Sequence, residues 1–325
     1  MMHRYLFSFS LVAILTACSS NNLSPINAPF VPATTERHMS GSGSGSEGNY
    51  IKHVVIVVQE NRSFDNLFAK FPGADGATHG KMNTGQTIKL EQTKLYSPKD
   101  LDNSHQAFVV DYDNGKMDGW NAVYVSSVPC PKCAYKYVEP GQIKPYWTMA
   151  QQYALADHMF TTETSGSFNG HQDLIRGDTA ISSTQSLIDF PSHGPWGCDA
   201  PPGTTTPELT STGKYIQKGP YPCLTYNTLR DLLDANQVGW KYYTPALQGS
   251  LAGAYWDAYD AISAVRNGSE WTTNISSPET NIFNDISAGS LAPVSWIVPD
   301  GVNSDHSGFG STDKGPSWVA SIVNA

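Results

Sequence analysis

The chain has 325 residues, 39% of them hydrophobic and 15% charged. That excludes a charge-rich disordered polypeptide and leaves room for a sizeable core. The net charge is −9 with no run of Lys or Arg, which argues against nucleic acid as the main partner, although one cationic pocket can still hold phosphate.

The N-terminus reads as a targeting segment. "MMHRYLFSFSLVAILTACSS" has a basic start (His3, Arg4) and an apolar run of about ten residues, too short to span a bilayer as a mature helix. Leu15-Thr16-Ala17-Cys18 resembles a bacterial lipoprotein signal. It implies cleavage of residues 1–17, lipid on the Cys18 thiol and attachment to the membrane of the cell envelope. An ordinary secretory signal cut nearby is the alternative, and both put the mature protein outside the cytoplasm. Residues 18–49, rich in Ser, Asn, Pro and Thr and ending in "SGSGSGSEG", have the composition of a flexible tether.

A domain is expected over 50–325. "HVVIVVQ" (53–59) is continuously apolar and β-branched, as a strand covered on both faces would be. It runs directly into Glu60 and Asn61, adjacent hard oxygen donors of the kind that suit a divalent cation. "LDNSHQAFVVDYDNGKMDGW" (101–120) supplies His105 with Asp111, Asp113 and Asp118, but lacks the later glutamate of a calcium loop. Cys130 and Cys133 in "CPKC" have zinc-ligand spacing. With Cys198 and Cys223 they also make an even set, which favours disulfides in an oxidising compartment. Cys130–Cys133 with Cys198–Cys223 is the first of three possible connectivities.

"PYWTMAQQYALADHMF" (145–160) has helical spacing with Pro145 suited to the first turn. In "FTTETSGSFNGHQDLIRGDT" (160–179), Thr164, Ser165 and Ser167 lie in a Gly-spaced loop before a helix expected near Asn169. A hydroxyl there meets the unpaired N–H groups of a helix start, a seat for a phosphate anion. His171 and Arg176 follow as candidates to bind substrate phosphate. "NTLRDLLDANQ" (227–237) reads as a helix, "WKYYTP" and "VSWIVP" (294–299) as strands, and "SWVASIVNA" as a terminal helix. "VPDGVNSDHSG" sets Asp300, Asp305 and His306 at a second strand end. Long Gly-, Pro- and Ser-rich loops are expected at 72–104 and 191–222. Strands alternating with helices predict an α/β fold with a mostly parallel sheet, whose ligands sit beyond the strands' carboxyl ends.

The order "HVVIVVQENRSFDNLF", "SHQAF", "YWTMAQQYALADHMF", "GSFNGHQ", "WKYY" and "VSWIVPD…SDHSG" resembles the bacterial phosphoesterase family, from about residue 50 to the last. That family holds phospholipases C of the non-haemolytic type and related acid phosphatases. The resemblance implies an alkaline-phosphatase-like core with helices flanking the sheet and long disulfide-anchored loops. It also implies hydrolysis of phosphate esters or phospholipids through a phospho-enzyme intermediate, with a divalent metal ion as cofactor. Glu60 and Asn61 match the family's first metal ligands. Ser167 matches the nucleophile that also touches the metal, while His105 and His306 match histidines that serve the phosphoryl group. Asn169 stands where the family often has Pro, which keeps Thr164 and Ser165 as alternative nucleophiles.

The family continues past "GPSWVASIVNA" into a strand ending in Asp-Asp-x-Gly-Gly and a later Asp-His pair. On the resemblance, the domain is incomplete at its C-terminus and lacks part of the metal shell. The rival expectation is therefore a catalytically inactive surface lipoprotein that binds phosphate esters. An apolar or choline-accepting rim, for which Trp120, Trp147, Trp196 and the Tyr-rich 242–259 region are candidates, would separate a phospholipase C from a phosphatase.

Overall fold

The computed structural model describes residues 51–246, 251–308 and 312–325. The targeting segment, Cys18 and the tether lie outside the described residues.

Four short strands make the central sheet: β1 (Val54–Val57), β2 (Trp240–Tyr243), β3 (Ile275–Ser276) and β4 (Val294–Ile297). Their order is β1–β4–β2–β3 and every pairing is parallel. Side chains alternate across such a sheet. Ile56, Val58, Trp240, Tyr242, Trp296 and Val298 therefore pack on one face, with Ile175 and Leu233. Val57, Tyr243 and Ile297 pack on the other, with Ile282, Trp318 and Ile322. The helices that carry these partners cover both faces, as a parallel sheet requires.

In chain order the helices that matter here are α1 (His105–Tyr112), α2 (Lys144–Gln152), α3 (Ser167–Arg176), α4 (Leu229–Ala235), α5 (Asn281–Ser287) and α6 (Gly315–Val323). The start of α4 is fixed by Thr228, whose backbone N–H donates to Asp231 Oδ2 at 2.7 Å. Helix α2 is shorter than its spacing predicts. It stops at Gln152, and beyond it Tyr153, Met159 and Phe160 are exposed, so nothing rewards another turn.

Strand β1 departs from expectation in burial. Val54 and Val55 are 48% and 37% exposed rather than covered on both faces. The cause is position: β1 pairs with β4 alone and forms one edge of the described sheet.

The two long segments are not structureless. His79–Lys81 pairs with Thr87–Lys89, and Glu91–Thr93 pairs with Lys136–Val138. Glu208–Thr210 and Tyr215–Ile216 join Ala180–Ser182 and Gln185–Leu187 in a second, antiparallel sheet. Cys198–Cys223 and Cys130–Cys133 are both disulfides, so "CPKC" is not a zinc site.

Candidate active site

Because β1 and β4 are adjacent and parallel, their carboxyl ends emerge side by side. The loops that follow are stitched together. Gln59 Nε2 donates to Asn303 O at 2.8 Å, and Asp305 N donates to Gln59 Oε1 at 3.0 Å. Arg62 Nε donates to Asp305 O at 2.7 Å. Asp305 itself is buried and its Oδ2 accepts from Tyr146 Oη at 2.6 Å. Burial pushes this carboxyl up to about 6 despite the tyrosine and Arg62. Asp300 turns inward to its own loop, accepting from Asn303 N at 2.8 Å.

Helix α3 comes to these loops with its N-terminal end. Ser167 is its first residue, after Gly166 at the N-cap. A Cβ on Gly166 would lie 2.2 Å from the Phe190 ring and 3.1 Å from Asn103 O, so only glycine lets the chain pass there. His171 lies one turn after Ser167 and shares its helix face. Its Nε2 stands 3.7 Å from Glu60 Oε2. Glu60 Oε1 is buried without a hydrogen-bond partner. His171 thus meets the residue that follows β1, and Ser167 shares its helix face.

Trp256 is buried between two imidazoles: its ring stacks on His171 at 6.4 Å and on His306 at 5.9 Å. His306 Nδ1 is 2.8 Å from Ser307 O, which can only accept, so Nδ1 is the donor. His306 Nε2 faces Asp100 Oδ2 at 4.0 Å. Burial raises the Asp100 carboxyl, while His306 and Arg62 oppose the rise. Ser167, His306, Asp100, Asn103, Trp196 and Trp256 line one cavity of about 490 Å³.

His105 begins α1, capped by Ser104. Its Nδ1 is 3.0 Å from Thr164 O and so donates there, leaving Nε2 as the other nitrogen of the ring. Asp189 ties this histidine to the serine loop. Its Oδ1 accepts from His105 N at 2.5 Å and from Ser165 Oγ at 3.0 Å, and its Oδ2 accepts from Tyr215 Oη at 2.9 Å. Ser165 also accepts from Asp189 N at 2.6 Å, and its own N–H donates to Glu163 Oε2 at 2.6 Å. Thr164 Oγ1 is 3.2 Å from His105 Nδ1. Ser165 and Thr164 are thus engaged in holding the loop.

Arg176 stands at the far end of α3, nine residues or about 13 Å from Ser167 at 1.5 Å rise per residue. Its guanidinium bonds Asn227 O, Asp178 Oδ1 and Ala180 O and lies over the Tyr226 ring, so it is not brought to the serine. His171 is 5% exposed and meets Glu60 rather than open solvent. Of the rim candidates, Trp196 and the Tyr255–Trp256 pair line the serine cavity. Trp147 donates to Leu67 O within a separate core cluster, and Trp120 donates to Met117 O. Asp100 and Asp189 were not singled out by the sequence, and Trp256 entered only as part of the 242–259 stretch. Asp100 alone had a local signal, five residues before His105 in "KDLDNSH".

Asn61 lines a neighbouring cavity together with Asp100 and Ser307. Among the described residues, no three His, Cys, Asp or Glu side chains converge so as to hold a metal ion. What is present fits one side of a cation's shell: an orphaned buried carboxylate oxygen on Glu60, followed in the chain by Asn61.

A profile of the Phosphoesterase family matches residues 51–325. The chain is 23% identical over 323 residues to the "Non-hemolytic phospholipase C" of Pseudomonas aeruginosa, covering 91% of this chain and 42% of that protein. It is 24% identical to the "Hemolytic phospholipase C" of the same organism, over 85% and 40% of the two chains. It is 25% identical to the "Non-specific phospholipase C3" of Arabidopsis thaliana, over 59% and 41%. The chain therefore spans about two fifths of the length of the curated relatives it matches. With the profile running through the whole described domain, the chain belongs to the phosphoesterase family.

Proposed function

We propose that this chain hydrolyses phosphate esters on an alkaline-phosphatase-like core, with Ser167 as nucleophile. The observation that carries this reading is the single face of α3. It turns Ser167 into the cavity of His306 while His171 meets the orphaned Glu60 carboxylate.

Ser167 Oγ gives up its proton to water and forms the new bond to phosphorus as the ester P–O bond breaks. Phosphoryl oxygens lie against the unpaired N–H groups at the start of α3, which favour negative charge. As an imidazolium, with its Nδ1–H held by Ser307 O, His306 gives its Nε2 proton to the leaving oxygen. As an imidazolium, with its Nδ1–H fixed on Thr164 O, His105 stabilises charge on the phosphoryl group by donating from Nε2. A water oxygen then bonds to phosphorus as the P–Oγ bond breaks; inorganic phosphate leaves, and solvent protons restore the Ser167 hydroxyl and His306. Glu60, Asn61 and Ser167 are the residues that would hold a divalent cation. When bound, such an ion lowers the serine's pKa and polarises a phosphoryl oxygen.

The aromatic wall of Phe190, Trp196 and Tyr255 beside Ser167 favours a phospholipid-like ester, in keeping with the names of the relatives. On this reading the protein acts at the cell envelope, anchored through lipid on Cys18. A second reading is a phosphate-ester-binding protein without turnover, and the sparse metal shell among the described residues favours it.

The test is turnover of p-nitrophenyl phosphate and p-nitrophenyl phosphorylcholine across a panel of divalent metals. Turnover that disappears in Ser167→Ala, with less bound metal in Glu60→Ala, supports the enzyme. Phosphate binding with no turnover at any metal concentration supports the binder.

A further inference from the structure

Next to the serine cavity lies a second one of about 520 Å³, and the two share Asp100 and Asn103. Four cationic side chains line it, Arg62, Lys99, Lys132 and Lys136, against the carboxylates of Asp100 and Asp102. This is a local reversal of sign in a chain of net charge −9.

The cations are unequal. Lys136 is paired with Glu91. Arg62 spends its donors on Asp305 O, Asn66 Oδ1 and Leu95 O, and among the described residues it forms no ion pair. Lys99 and Lys132 are exposed, and neither joins an ion pair among the described residues. Of the two carboxylates, Asp100 is shared between His306 and Arg62, and Asp102 Oδ1 accepts from Ser104 N at 3.0 Å.

The "CPKC" motif, which the reaction leaves without a task, builds this wall. Cys130 and Cys133 close a four-residue turn by their disulfide and by a bond from Cys133 N to Cys130 O at 3.0 Å. Lys132 lies inside that turn, at the lining of the cavity. A side chain on a covalently closed turn loses less freedom when it binds a ligand.

We infer that this cavity is a subsite for a second anionic group, a carboxylate or phosphate carried by the phosphate ester, with Lys132 and Lys99 as its ligands. The inference rests on the proposed reaction at Ser167, which takes the first phosphate. Among phosphate esters it favours those with two acidic groups, one on the reacting phosphorus and one on the substituent that extends past Asp100.

The test compares phenyl phosphate with 4-carboxyphenyl phosphate, which share a ring and differ by one anion. Lys132→Glu and Lys99→Glu each raise KM for 4-carboxyphenyl phosphate about tenfold and leave phenyl phosphate nearly unchanged. Lys214→Glu, an exposed reversal outside both cavities, moves neither. The double variant Cys130→Ser/Cys133→Ser shows a smaller rise, also confined to the carboxylated ester. Equal effects on both esters, or no effect on either, overturn the subsite. Calorimetric binding of inorganic pyrophosphate to the metal-free chain gives a readout that needs no turnover. Binding weakened about tenfold by Lys132→Glu but not by Lys214→Glu supports the subsite. Identical titrations in all three proteins overturn it, even if the enzyme is active. Lysine-dependent binding without any turnover refutes the reaction at Ser167 and leaves the anion site standing.

Discussion

Replacing Asp189 tests whether the serine loop and His105 are held as one unit. Its carboxylate accepts three hydrogen bonds, from His105 N, Ser165 Oγ and Tyr215 Oη. Hydrogen bonds to a charged group contribute about 1.5–3 kcal/mol each, and three that share one carboxylate are not additive. Asp189 is only half-buried, so we take about 3 kcal/mol for the set. Its backbone φ is +57°, a conformation that Asn and Asp tolerate and that costs other residues about 1 kcal/mol or more. Asp189→Ala should therefore lose about 4 kcal/mol of unfolding free energy. Asp189→Asn keeps the backbone tolerance and one acceptor oxygen, and should lose about 1–2 kcal/mol. Turnover should fall further than stability explains, since a displacement of about 1 Å at reacting groups costs on the order of a hundredfold. The assay is urea unfolding together with kcat and KM on p-nitrophenyl phosphate. An Asp189→Ala protein with stability within about 1 kcal/mol of wild type and unchanged kcat would refute the reasoning.

Three further outcomes follow from the same contacts. Cys198→Ser/Cys223→Ser opens a loop of sequence separation 25 and should cost about 3.5 kcal/mol by the chain-entropy relation, read in urea melts with and without reductant. Asp257 is raised to about 7 by burial and by Asp260, against an ordinary 3.8. Between those values the folded state keeps a proton that the unfolded state releases, so stability falls as pH rises from about 4 to 7, by up to about 1.4 kcal/mol per pH unit. Asp257→Asn should flatten that slope in unfolding measured across the window, and an unaltered slope contradicts the assignment. Trp256→Ala removes the plate between His171 and His306 and should cost about 3–5 kcal/mol with most of the turnover. Trp256→Phe keeps an aromatic face and should restore much of both, as thermal melts and kcat would show.

Much of the frame was legible in the sequence because it is written locally. The β-branched and aromatic runs at Val54–Val57, Trp240–Tyr243 and Val294–Ile297 became the parallel strands. The break from apolar to polar at Glu60 marked the end of one of them, and β4 brought Asp305 and His306 to the same end, as the alternation of strands and helices implied. The edge position of β1 was not legible, since an apolar run reads alike whether one side of the strand is paired or both. The early stop of α2 depends on the absence of packing around Met159 and Phe160, which spacing does not record. Arg176 looked available because it follows His171 closely in sequence, yet half a turn and the helix length carry it away from Ser167. Asp189 meets Ser165 across 24 positions of the chain, and Trp256 meets His306 and His171 across longer stretches still, beyond any motif.

The central claim is that Ser167 takes the phosphoryl group, and the direct measurement is to trap it. The chain is mixed with p-nitrophenyl phosphate and a divalent metal, quenched in acid within a turnover, digested and mapped by mass spectrometry. A phosphoryl increment on Ser167, lost in Ser167→Ala together with turnover, is the predicted result. An increment on Thr164 or Ser165, or sustained turnover by Ser167→Ala, would contradict it.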